Sequence, residues 1–295
     1  MTTPGAIKNH IKAIRQTRQI TGAMYLLSAS RMRQTIKRIE YNLEYMQRLR
    51  ATIKDIIIHT GGQIRHPYLN GRKHDNTCLF IVITGDKGLC GGYNTNLLHF
   101  AEEQMAKFTD KKKRLAVIGI VGEEHFRAKG IEPDYCWRGV IQNPAMYSAR
   151  AMTDILVEEF ENRGTDEVFV IFTHYKNAMQ QEPVMMKLLP LSEGDFRDVS
   201  VEYEYKSDII FEPSPEVVFQ KLVPQFMVGS LFNALIQAST SEHASRMNAM
   251  QTATSNADEM IAKLEIEYNQ TRQLQITNEI TEIAAATESI KDKAI

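Results

Sequence analysis

From Ile7 to Thr60 apolar residues recur at three- and four-residue steps, first as Ile7, Ile11 and Ile14, then as Ile20, Met24 and Leu27. The series continues through Ile36, Ile39, Leu43, Met46, Ile53 and Ile57, with Gly22 the only breaker. This spacing predicts one amphipathic helix of more than 50 residues, roughly 80 Å long at about 1.5 Å per residue. "HTGGQIRHPYLNGRKHDN" then ends it with Gly, Pro and Asn.

The period changes in the middle. "TCLFIVITGD", "RLAVIGIVG" and "DEVFVIFTHY" are short, β-branched and almost continuously apolar, which predicts strands buried on both faces of a parallel sheet. Helix-like stretches lie between and before them, about 94–107, 123–129 and 145–162, and "VEYEY" reads as an added edge strand. Alternating strand and helix over about 75–212 predicts a Rossmann-like three-layer α/β domain.

The last segment, 213–295, opens with "FEPSPEVV". There Ser214 is placed to cap a helix, Pro215 to take its first position and Glu216 to face its positive end. Pro224 and Gly229 are expected to kink it early, and from Ser230 onward 66 residues pass without a breaker. Two long helices, 1–60 and 213–295, therefore flank one compact domain. If the joints are short they run antiparallel as a coiled coil, with Leu231, Leu235, Met247, Met250, Ala257, Ile261, Leu264 and Tyr268 as seam candidates. The second is longer, so about 18 Å of its carboxyl end should project without a partner.

Composition sharpens this picture at one place. Residues 237–260 hold five Ala, four Ser and three Thr, half of the stretch. Ser and Thr are no better than middling helix formers, so propensity does not explain them. Small side chains suit either a closely approached partner helix or a slender surface that fits inside another protein. Sustained large a/d heptads, the mark of a self-associating coiled-coil protein, are absent from it.

Charge adds an asymmetry. The net value of −1 hides 11 Lys/Arg against 3 Asp/Glu in residues 1–60, while 61–212 hold 18 against 23 and 213–295 hold 6 against 10. The basic face carries Lys8, Lys12, Arg15, Arg18, Arg31, Arg33, Lys37 and Arg38; solvation accounts for most such runs, and nucleic acid or an anionic surface are the other partners it could serve. Three cysteines, Cys78, Cys90 and Cys136, lack the paired spacing of a zinc or redox site, so reduced thiols are expected. No apolar run is long enough to span a bilayer.

Candidate chemistry is thin. "TGDKGLCGG" follows a strand and could present N–H groups to a phosphate, but it has neither the Walker nor the dinucleotide spacing, so a tight turn with Cys90 packed beneath it is the reading preferred. His66, His74 and Cys78 fall in a stretch read as loop, where separate solvated residues are more natural than a metal site. His174 reads as a hydrogen-bonded surface residue, and no nucleophile elbow is present. An α/β enzyme with helical dimerisation arms would need a switch-point site that the middle segment lacks. No cofactor is expected.

Several stretches together resemble the gamma subunit of F-type ATP synthases, the central rotor stalk. They are "IKNHIKAIRQTRQITGAMYLLSASRMR", "GDKGLCGGYN", "EPVMMKLLPL", "FEPSPE", "TSEHASRMNAMQTATSNADEMI" and "YNQTRQLQITNEITEI", in that family's order and spacing. The likeness covers nearly the whole chain, strongly at its ends and loosely in the middle. Gly22 stands where the family usually has Lys and Gly85 where it has Ser, and the tail "AAATESIKDKAI" departs from the usual Gly/Ala-rich ending.

What the resemblance implies is a shaft inside a ring of alpha and beta subunits, with the α/β domain as a foot near the epsilon subunit and a membrane c-ring. It implies no catalytic group in the chain itself, no nucleic acid and no direct membrane insertion. Met24 and Arg246 are similar to positions near the acidic lever loop of the beta subunit. Arg272, Gln273 and Thr277, followed by Glu279, Thr281 and Glu282, match positions that meet a second beta-subunit loop. Gly88, Leu89, Cys90, Gly91, Gly92 and Glu212 correspond to the foot. Such a subunit is expected on the cytoplasmic face of a bacterial inner membrane, held there by its complex, with the mitochondrial matrix side as the less favoured alternative.

Overall fold

The computed structural model describes residues 3–60, 64–71, 76–162, 164–196, 199 and 211–291. In chain order these form α1 (Pro4–His59), α2 (Pro67–Asn70), β1 (Thr77–Ile83), α3 (Tyr93–Ala106), β2 (Lys112–Ile118), α4 (Ile120–Ala128) and β3 (Tyr135–Trp137). There follow α5 (Met146–Asn162), β4 (Glu167–Tyr175), β5 (Gln181–Leu189), a short 3-10 turn at Glu193–Phe196 and α6 (Pro215–Lys291). Two compact units divide the chain, one of residues 28–246 and one of 1–27 with 247–295, and both cut across the terminal helices.

The larger unit is built on a five-stranded sheet of order β3-β2-β1-β4-β5. β1 pairs in parallel with β2 and β4, β2 with β3, and β5 closes the edge antiparallel to β4. The three strands expected from the apolar runs are present; β3 and β5 were not anticipated. β5 lacks a strand signature because Gln181–Met186 are only half-buried, Lys187 is exposed and the pattern is mixed, while β3 is three residues long. The "VEYEY" stretch lies outside the described residues.

Each face of the sheet carries its own core. Leu79, Ile81, Ile83, Val168 and Val170 pack with Met152, Leu156 and Phe160 of α5, Ile53 and Ile56 of α1, and Phe219, Val223, Leu231 and Leu235 of α6. On the other face Phe80, Val82, Val117 and Ile171 pack with Leu97, Leu98 and Ala101 of α3 and Phe126 of α4. Leu231 and Leu235 thus serve the sheet-side core. At about 25 cal/mol per Å² of apolar surface removed from water, this double burial is the main support of the unit.

α6 starts as its sequence predicts: the Ser214 hydroxyl accepts from Val217 N at 3.4 Å, and Pro215 occupies the first turn. The helix continues through Pro224 without interruption. Gly229 marks a close approach of the two long helices. A Cβ there would fall on Met46 Sδ, so glycine lets α1 and α6 approach, and the Asn42 side-chain amide donates to Gly229 O across the same gap at 3.3 Å.

In the smaller unit the two helices run antiparallel, because Arg15 pairs with Glu265 (2.5 Å), Arg18 with Asp258, and Thr21 Oγ1 meets Thr254 Oγ1 at 2.8 Å. Ile7, Ile11, Met250 and Ala257 are buried, and Ile261, Leu264 and Tyr268 half-buried.

The inward face of α1 keeps the expected apolar residues near its ends, Ile7, Ile11, Ile53 and Ile57, and differs from the expected stripe between them. Ile20, Leu27 and Leu43 are 62%, 61% and 56% exposed, whereas Thr21, Ser28, Thr35 and Asn42 are buried. Those four polar residues are spaced seven apart, so the inward line follows a 3.5-residue repeat that the apolar residues alone do not reveal.

Candidate interaction surfaces

The "TGDKGLCGG" segment is a tight turn built from the end of β1. Asn94 Oδ1 accepts from Gly85 N at 2.9 Å, and the Asp86 carboxylate accepts from Ile120 N and Gly139 N, both at 3.2 Å. Leu89 and Gly91 adopt positive φ, 60° and 57°. Thr84 N, Gly85 N and the Asp86 carboxylate are thus engaged within the protein. Gly88, Leu89, Gly91 and Gly92 face outward; Cys90 is buried beneath them, its thiol pushed upward in pKa by burial. The Cys90 side chain supports the turn, while Leu89, 65% exposed, is its outward apolar point. Glu212 is exposed just before α6.

Arg246 is only 8% exposed. Its guanidinium pairs with Glu242 Oε1 at 2.6 Å and donates to Gly88 O at 3.1 Å, so the side chain is occupied by groups of its own chain. Burial pushes the Glu242 carboxyl upward while Arg246 pulls it down. The neighbouring His243 imidazole is held down to about 4, first by burial and then by Arg246 and Arg31. Three further bonds were not foreseen: Gln237 Oε1 accepts from Tyr175 N (2.9 Å), Ser241 Oγ donates to Thr173 O (3.1 Å), and Ser245 Oγ donates to Cys90 O (2.9 Å). Their only trace in the sequence is the small-residue bias of the stretch they belong to.

In the smaller unit Met24 is half-buried, and Arg272, Gln273, Thr277, Glu279, Thr281 and Glu282 are exposed along α6. Arg272, Ile276, Glu279 and Ile283 follow 4-3-4 spacing and share a face. Thr277 and Thr281 return their hydroxyls to Gln273 O and Thr277 O, leaving the long side chains at the surface. Leu274, Ile276, Ile280 and Ile283 are 42–67% exposed, a density of bare apolar residues that an isolated helix does not need. Lys8, Lys12 and Arg15 line an open groove with Glu265 and Tyr268.

Among the described residues no group of three or more His, Cys, Asp or Glu could hold a metal, and no helix is long and apolar enough to cross a membrane. Cys78 lies in β1 and not in a loop; it is fully buried, donates to Glu167 Oε2 at 3.2 Å, and has its pKa pushed up to about 12 by burial and that carboxylate. His66 caps α2 through Tyr68 N, and His74 lies outside the described residues.

The chain matches the family profile described as ATP synthase over residues 4–290. It is 38% identical to an ATP synthase gamma chain of Acetivibrio thermocellus, covering 97% of this chain and 98% of that one. It is 39% identical to that of Caldanaerobacter subterraneus, covering 92% and 95%. A sodium ion specific ATP synthase gamma chain of Acetobacterium woodii is 34% identical over 96% and 97%. Among solved structures, the fold is similar to a chain of the Euglena gracilis mitochondrial ATP synthase OSCP/F1/c-ring structure, with TM-score 0.65, 15% identity, and coverage of 97% and 94%. A chain of the Tetrahymena thermophila central stalk/c-ring structure matches with TM-score 0.57 and 25% identity over 79% of this chain and 99% of that one. Sequence and fold agree along the whole length: the chain belongs to the family of ATP synthase gamma chains.

Proposed function

We propose that the chain is the central shaft of a rotary ATP synthase, turned by a membrane c-ring and turning within a ring of alpha and beta subunits. The observation that carries this reading is the stretch Arg272–Glu282. There polar side chains of long reach alternate with exposed Ile276 and Ile280 on one helix, a surface suited to a surrounding protein that is met differently at each angle. A bond made in one orientation and lost in the next differs by about 1–3 kcal/mol, enough to shift a neighbour between open and closed states. Rotation then imposes a sequence of states on nucleotide sites the shaft never enters.

Met24 meets the lever loop of beta, and Arg246 is assigned to the same loop while bracing the turn. Arg272, Gln273, Thr277, Glu279, Thr281 and Glu282 form the second beta contact. Gly88, Leu89, Gly91, Gly92 and Glu212, with Cys90 beneath, form the foot against epsilon and the c-ring. The basic face of α1 steers assembly with acidic loops of the ring. The chain supplies no catalytic group and sits peripherally on the cytoplasmic face of a bacterial membrane.

Isolation of the complex tests this. The chain should co-elute with larger nucleotide-binding subunits at one copy per several of them, and a probe attached to it should rotate on ATP addition. A stable homodimer, or ATP turnover by the isolated chain, would overturn the reading.

A further inference from the structure

In α/β sheets of this kind a ligand enters the crevice beyond the carboxyl ends of the strands, where the strand order reverses. Here that place lies between β1 and β4, because the chain leaves β1 for β2 and β3 on one side and returns to β4 on the other. It is filled by α6: Ala238, Ser239, Thr240, Ser241, Glu242 and Ala244 are all buried. Gln237 and Ser241 bond the backbone of the β4 end at Tyr175 N and Thr173 O. The Tyr93 hydroxyl donates to Ala238 O at 3.1 Å, and Ser245 and Arg246 hold the carbonyls of Cys90 and Gly88.

These bonds cross between helix and sheet over nearly three helical turns, and they are directional. A side chain about 5 Å from a helix axis moves roughly 1 Å for each 10° of rotation about it. Such a displacement takes a bond of 2.9–3.1 Å beyond hydrogen-bonding range.

We propose that residues 237–246 are the torsion-bearing joint through which twist passes between α6 and the α/β body, with Gln237 and Ser241 as its positioning residues. The proposal rests on the shaft reading above and adds where the load is carried.

The test uses the assembled complex, held by its alpha and beta subunits, with a bead coupled to Cys136, which is exposed while Cys78 and Cys90 are buried. Angular fluctuation of the bead in the stalled complex measures the stiffness of the path. The double variant Gln237→Met/Ser241→Ala removes both β4 bonds at nearly constant volume, and its angular variance should rise at least about twofold, with unloaded ATP hydrolysis unchanged. Thr252→Ala, which removes an exposed bond within α6 itself, should leave the variance as it was. Unchanged variance in the double variant overturns the joint. If that variant does not assemble, Ser241→Ala alone is read by the same criterion. Absence of ATP-driven rotation in the parent complex overturns the shaft reading instead, so the two failures are distinct.

Discussion

At the scale of single residues, two glycines that look alike in the sequence carry different loads. Gly119 has φ 103°, and a Cβ there would strike the backbone carbonyl of Thr84, which cannot move away. Gly119→Ala should therefore cost several kcal/mol, on the order of 3 or more, in denaturant unfolding. At Gly229 the obstruction is Met46 Sδ, the far part of a flexible side chain, so Gly229→Ala should cost only about 1 kcal/mol. Equal losses at the two sites would contradict this account.

His243 makes a pH-dependent prediction. Its Nδ1 is buried without a partner among the described residues, and its pKa falls from 6.5 to about 4. The unfolded chain then binds the extra proton between those values, so stability is fully present above about pH 6.5, declines as pH falls toward 4, and levels off below. The loss from this group is on the order of 3 kcal/mol. Glu242, shifted upward mainly by burial, takes up a proton in the folded state and offsets part of it. His243→Gln should flatten the acid limb of urea unfolding; an unaltered limb would show that other groups set it.

At the scale of elements, the inward line of α1 is apolar at its ends, at Ile7, Ile11, Ile53 and Ile56, but passes through polar residues between them, which a count of apolar residues alone does not locate. Leu and Ile point out at Ile20, Leu27 and Leu43, while Thr21, Ser28, Thr35 and Asn42 point in. Small polar residues allow close approach and bond across the seam, as Thr21 does with Thr254; such contacts favour one register over another. A double-mutant cycle with Thr21→Val and Thr254→Val should give a coupling of about 0.5–1 kcal/mol. Additive losses would leave packing alone to fix the register. The Ala/Ser/Thr bias of α6 has a related basis at residues 237–246, where Ala238, Ser239, Thr240, Ser241 and Ala244 are buried and Ser241 and Ser245 bond a strand end and the glycine turn.

At the scale of the whole molecule, the prediction concerns which exposed parts matter to the complex. Residues beyond Ile283 differ from the family ending, so truncation after Ile283 should leave assembly and most coupled ATPase intact. Gln273→Ala, by removing one angle-dependent bond, should lower coupled turnover about 5- to 10-fold without changing the unfolding of the isolated chain. Steady-state ATPase of the assembled complex reads both. Loss of assembly on truncation would give the tail a structural role.

The apolar runs "TCLFIVITGD", "RLAVIGIVG" and "DEVFVIFTHY" determined three strands by themselves, because a strand covered on both faces must be largely apolar. Breaker-free periodicity and the Ser214-Pro215-Glu216 cap likewise determined the two long helices. Only tertiary structure decided which face of α1 turns inward, since that depends on what α6 presents opposite each turn. It alone decided that β5 pairs with β4, that Gly229 is a point of approach, and that Arg246 serves its own chain first. Local pattern records what a segment is able to bury; the partner it is buried against exists only once distant segments have met.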